Sequence, residues 1–170
     1  MAAAGTTPVA VRSSAVGEDG VDQSFAGQYD TVLGVDSVDA FAAAVRRCAE
    51  SVDSQRASAY SGHSTATMNV VVQQMVDARA AGVVFTADPT SGRRDLMVID
   101  AVAGLGEALV DGSASPEHLV LHSDGSTAVH EVAGSAVLTT RDVDDIRAGA
   151  LRAAQHWGRP LDLEWAIDRS

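Results

Sequence analysis

The chain has 170 residues, 46% hydrophobic and 21% charged, with 12 basic residues against 23 acidic ones and a formal charge of −11. That is enough apolar chain for one domain, or two small ones, around a buried core, which excludes wholesale disorder. The negative balance argues against bare DNA or an anionic lipid surface as a partner, and the single cysteine, Cys48, excludes an internal disulfide or a multi-thiolate metal site.

The opening residues 1–8 have neither a basic n-region nor a long apolar stretch, so they read as a disordered head and not as a signal peptide. No apolar run approaches the ~20 residues of a membrane span, and the expected compartment is the cytoplasm. Val9-Ala10-Val11 reads as a buried strand leading into Arg12-Ser13-Ser14, followed by a glycine-rich, acidic loop from Ala15 to Gly27. Tyr29 to Val35 suits a second strand. Asp36 or Ser37 can cap a helix reaching about Val52, with Val38, Phe41, Ala42, Val45, Cys48 and Ala49 at helical spacing. A weaker helix is expected over 54–60, then a polar loop over 61–65. Met68 to Met75 and Ala80 to Thr86 read as strands joined by a tight turn at Asp77-Ala78-Arg79. Asp88-Pro89-Thr90-Ser91-Gly92 has turn composition, and Leu96 to Val102 is the next strand. Ser123-Asp124-Gly125-Ser126 is a hairpin signal between strands at His118–Leu121 and Thr127–Val132. A helix from Asp142 to His156 and a strand from Leu161 to Ile167 complete an α+β pattern, with antiparallel strands outnumbering helices.

The chemistry starts from an absence. All 12 basic residues are arginine, so a Schiff-base lysine and a Walker-type P-loop are both excluded. Any phosphate chemistry must use arginine, backbone N–H groups or a metal. In the last strand Leu161, Leu163, Trp165 and Ile167 alternate with Asp162, Glu164, Ala166 and Asp168, which puts the carboxylates on one face. Asp162 and Glu164, roughly 7 Å apart by strand rise, can converge on a hard cation such as Mg²⁺. Taken from the strand alone, Asp162, Glu164 and Asp168 better suit the solvated face of an edge strand. Arg12 at a strand end suits bidentate phosphate binding, or a surface ion pair with Glu18 or Asp19. Of Gln73 and Gln74, alternation requires one to face the core side or a ligand. Gly104-Leu105-Gly106-Glu107 follows a strand without completing a dinucleotide fingerprint. The five histidines show no metal-ligand spacing, and Cys48 sits on an apolar helix face, as a core residue would.

In this order the motifs resemble the nucleotide-binding domain of the pyruvate phosphate dikinase and phosphoenolpyruvate synthase family, which has the ATP-grasp fold and includes rifampicin phosphotransferases. The matching runs are Val9–Ala15, Glu18-Asp19, Ser24–Thr31, Val70–Val76, Ala81–Pro89, Gly104–Val110 with Pro116-Glu117, and Leu161–Ala166. The resemblance implies a partial ATP-grasp fold over residues 9–170, with ATP and Mg²⁺ as cofactors. It places Arg12 on the ATP phosphates, Gly27 and Thr31 in a loop folding over them, and Gln73 near the adenine. Glu164, with Asp162, would hold Mg²⁺ against the β- and γ-phosphates, with Glu107 in support. Arg12 and Glu164 would be the catalytic pair. The implied reaction passes a phosphoryl group from ATP to a histidine on another domain, and from there to pyruvate or, in the rifampicin enzymes, to a drug hydroxyl. By the same resemblance the chain is expected to lack the lysine-bearing first lobe, the strand with the Gln-x-Arg motif and the phosphohistidine domain. A partner polypeptide would then supply them. An interaction module that keeps the scaffold, with self-association, is the other expectation.

Overall fold

The computed structural model describes residues 7–15, 31–51, 68–110 and 112–169. The expected loop with Gly27, the second helix over 54–60 and the polar loop over 61–65 lie outside these residues. The chain divides into two compact units, residues 1–75 and 76–170.

The first unit is an antiparallel sheet in the order β2-β1-β3, formed by β1 (Val9–Ala15), β2 (Thr31–Val35) and β3 (Met68–Gln74), with helix α1 (Val38–Ser51) against it. Ser37 caps α1 by accepting a hydrogen bond from Ala40 N–H at 3.2 Å, and Asp39 in the first turn complements the helix dipole. Val11, Val35, Ala44 and Cys48 form the core. Cys48 is the fully buried core residue its spacing implies, and its Sγ donates to the Val11 carbonyl. Register explains how β2 supplies two core residues three positions apart. Val9 pairs with Val35 and Val11 with Val32, a bulge that Gly34 permits at φ +68°. The extra residue turns both Val32 and Val35 toward α1.

The second unit is a five-stranded antiparallel sheet in the order β7-β6-β5-β4-β8. Its strands are β4 (Ala78–Phe85), β5 (Leu96–Ala103), β6 (Glu117–His122), β7 (Thr127–Val132) and β8 (Asp162–Asp168). A single helical turn, α2 (Glu107–Val110), follows β5, and α3 (Thr140–Trp157) precedes β8. Helix α3 lays Val143, Ile146 and Ala150 against Val84, Ile99, Leu119, Leu121, Leu163 and Trp165. Ile99 is fully buried, which is worth about 1.5–3 kcal/mol relative to exposure. Thr139 and Asp142 form a reciprocal capping box at the start of α3. Gly158, left-handed at φ 66°, ends the helix with its N–H on the Ala154 carbonyl. A two-sided clamp then fixes the entry to β8: Thr86 N–H donates to the Leu161 carbonyl at 2.9 Å, and Leu161 N–H donates to Thr86 Oγ1 at 2.7 Å.

Two expectations need correction. The first strand runs through Arg12, Ser13 and Ser14, because small hydroxyl residues fit a sheet and Ser13 is itself buried. Arg12 therefore lies mid-strand and not at a strand end. Nor do Asp77-Ala78-Arg79 form a hairpin turn. Ala78 and Arg79 belong to β4, where Ala78 is buried, and β3 and β4 lie in different sheets.

Candidate functional site

In the first unit, Val9 and Val11 point to the α1 core, so Arg12 points to the opposite face of the sheet. It pairs directly with Thr31 on β2 and Val71 on β3, and Gln73 pairs with Ala10 one step along the same face. Register thus brings Arg12, Thr31 and Gln73 together on one face of the sheet, and all three are exposed. Gln74 falls on the α1 side by alternation yet is exposed as well. The two glutamines therefore take opposite faces as alternation requires, Gln74 on the core side beside Val9, though still exposed at the end of the strand.

In the second unit the strand reading holds. Leu163, Trp165 and Ile167 are partly buried, whereas Asp162, Glu164, Ala166 and Asp168 are exposed on the face away from α3, along an edge strand. Among the described residues no group of three His, Cys, Asp or Glu is gathered as a ready metal-ligand set. The strand offers two hard oxygen donors two residues apart. Such a pair fits Mg²⁺, which keeps several waters and takes its remaining ligands from phosphate oxygens. Glu107 opens α2 and is exposed.

Following the register from Glu164 across the sheet gives a row on this same face. Glu164 pairs with Val83, Val83 with Asp100, Asp100 with His118, and His118 with Glu131. His118 Nδ1 lies 2.6 Å from Asp100 Oδ1. His118 and Glu131 also line a cavity of about 460 Å³ with Ser115, Pro116, Val132 and Ala133. The sequence reading missed this row. Its one local signal was Asp100, the only charge in the apolar stretch Leu96–Ala103.

A second carboxylate, named in the matching runs but given no role there, is Glu117, whose side chain is 2% exposed. It accepts hydrogen bonds from Val137 N–H at 2.6 Å and Leu138 N–H at 3.0 Å, and lies 2.8 Å from His130 Nε2. Arg79 holds the same segment from the other side, donating to the Val137 carbonyl and to Asp142. Burial alone would raise the Asp142 pKa, but hydrogen bonds from Arg79 and Thr139 outweigh it and hold the carboxyl at about 2. These contacts anchor the start of α3.

The architecture is α+β, two antiparallel sheets with helices, and matches a partial ATP-grasp-like fold. The family described as pyruvate phosphate dikinase, AMP/ATP-binding domain, matches residues 1–137, and the chain belongs to that family. A rifampicin phosphotransferase of a Streptomyces species is 40% identical over 187 aligned positions, covering 94% of this chain and 22% of that protein. A probable phosphoenolpyruvate synthase of Methanocaldococcus jannaschii is 34% identical, covering 95% of this chain and 16% of its own length. The prodigiosin synthesizing transferase PigC of Serratia marcescens is 35% identical, covering 94% and 21%. The chain thus spans about a fifth of the length of these relatives.

Proposed function

We propose that this chain is the ATP- and Mg²⁺-binding portion of a phosphoenolpyruvate synthase-like phosphotransferase. The observation that carries the reading is the placement of Arg12, Thr31 and Gln73 on one sheet face, residues far apart in sequence whose types suit a nucleotide. Family membership and the carboxylate pair on β8 support it. The Arg12 guanidinium would hold phosphate oxygens through paired N–H donors, Thr31 would donate its hydroxyl, and Gln73 has the donor and acceptor an adenine edge requires. Asp162 and Glu164 would hold the metal, which when bound supplies charge neutralisation at the β- and γ-phosphates. Gly27 and Glu107 complete the proposed set. Phosphoryl transfer rests on positioning and charge stabilisation. The groups named here would orient ATP, and a histidine on another domain or a partner polypeptide would receive the phosphoryl group before pyruvate or a drug hydroxyl. None of the helices described is long and apolar enough to cross a membrane, and we place the activity in the cytoplasm.

Isothermal titration tests the reading. Mg-ATP should bind the folded chain, and Glu164→Ala should abolish measurable binding while leaving the circular dichroism spectrum unchanged. No heat at millimolar Mg-ATP in a folded sample would overturn it.

A further inference from the structure

We propose that Val71 determines specificity at the proposed nucleotide site, as the apolar contact that lets the chain favour a nucleoside triphosphate over a bare polyphosphate. The inference rests on the reading of Arg12 and Gln73 given above and deepens it, and every residue concerned belongs to the first unit. Exposure does not single Val71 out, since it is 46% exposed and Val72, the next residue, is 49% exposed. Position does. Val70 packs against the core beneath α1, so alternation sends Val72 to that side and Val71 to the face that carries Arg12, Thr31 and Gln73.

Register defines the surroundings. Val71 pairs directly with Arg12, and Gln73 pairs with Ala10. These four form one block on the sheet, with Arg12 and Gln73 at opposite corners and Val71 and Ala10 at the other two. Directly paired residues lie about 5 Å apart and diagonal ones about 7–8 Å. A ligand that meets Arg12 with a phosphate and Gln73 with a base edge therefore spans the diagonal, and whatever joins its two polar ends crosses the block. In a nucleotide that part is the sugar and the face of the base, which present carbon more than charge. Ala10 is 4% exposed, so Val71 is the accessible apolar surface of the block. Covering it removes water from the valine methyls and from the nucleoside together, a gain that a polyphosphate, charged along its whole length, cannot share. The cation at Arg12 attracts both ligands, and the valine distinguishes them.

The test compares the magnesium complexes of ATP and tripolyphosphate by calorimetry on the full chain. Val71→Thr keeps the branched shape that suits a strand and replaces a methyl with a hydroxyl. It should weaken ATP binding roughly three- to tenfold and leave tripolyphosphate binding unchanged. Val72→Thr, the same change on the opposite face of the same strand, should alter neither. Equal weakening of both ligands by Val71→Thr would mean a structural role only and would overturn the proposal. Equal effects of the two threonine variants on ATP would overturn it too. So would an unchanged ATP affinity in Val71→Thr while Glu164→Ala abolishes binding, an outcome that leaves the nucleotide reading standing. Absence of Mg-ATP binding by the unaltered chain would overturn both. If tripolyphosphate does not bind the unaltered chain, the contrast between Val71→Thr and Val72→Thr on ATP decides alone. If Val71→Thr does not fold, Val71→Ile takes its place, with a change in ATP affinity alone supporting the assignment and no change refuting it.

Discussion

Gly82 shows how little space separates the two faces of the larger sheet. A Cβ built there would lie 1.9 Å from the Asp100 carbonyl oxygen and 2.7 Å from the Trp165 ring. The constraint is space and not backbone conformation: a side chain at position 82 would run into the backbone of β5 and into the indole. Gly82→Ala should therefore destabilise the fold by about 1–3 kcal/mol, read as a lower urea midpoint. Because the backbone of β5 and the Trp165 ring must both give way, β4 shifts against its neighbours, and Mg-ATP affinity should fall in the same variant. The converse holds at Trp165, whose Nε1 is buried without a hydrogen-bond partner among the described residues. Trp165→Phe removes packing there but no polar contact.

At the scale of elements, the start of α3 concentrates the tertiary restraints. Asp142 closes the capping box with Thr139 and pairs with Arg79 on β4. Asp142→Ala should cost about 1–2 kcal/mol. The sign of the pH dependence follows from the pKa. A carboxyl held at about 2 in the fold, against an ordinary 3.8, contributes stability that is fully present above about pH 4 and lost as pH falls toward 2. Urea midpoints at pH 6 and pH 2.5 should differ less in Asp142→Asn than in the parent chain. The helix was legible in the sequence because its signals are local, a cap and an apolar stripe. So was the face that β8 presents, since alternation needs no partner. The extension of β1 past Arg12 was not legible, because Ser13 and Ser14 look like loop residues until the pairing with β3 gives them neighbours. The grouping of Arg12 with Thr31 and Gln73, and of Glu164 with Asp100, depends on which strands pair and in what register. Such pairing joins segments tens of residues apart, and no local pattern encodes it.

At the scale of the molecule, each unit encloses its own apolar cluster, one around Val11 and Cys48, the other around Ile99 and Leu121. Destabilisation should then remain largely confined to the unit in which it is introduced. Ile99→Ala, which costs about 2–5 kcal/mol, should speed amide exchange in β4, β5 and β6 far more than in β1 and β3, as hydrogen-exchange mass spectrometry would read. Uniform acceleration across both sheets would instead mean a single cooperative system. The short passage from Gly158 to the Thr86–Leu161 clamp carries a consequence of its own. The clamp at its end sets the parity of everything after it, since seating the chain one residue earlier or later against Thr86 would exchange inside for outside along the whole of β8. Leu163 and Trp165 would then turn to solvent, and the three anions Asp162, Glu164 and Asp168 would turn toward the oily layer beneath α3. A lineage can vary the outward Ala166 freely, but it can shift the seat of the clamp along the strand only in steps of two.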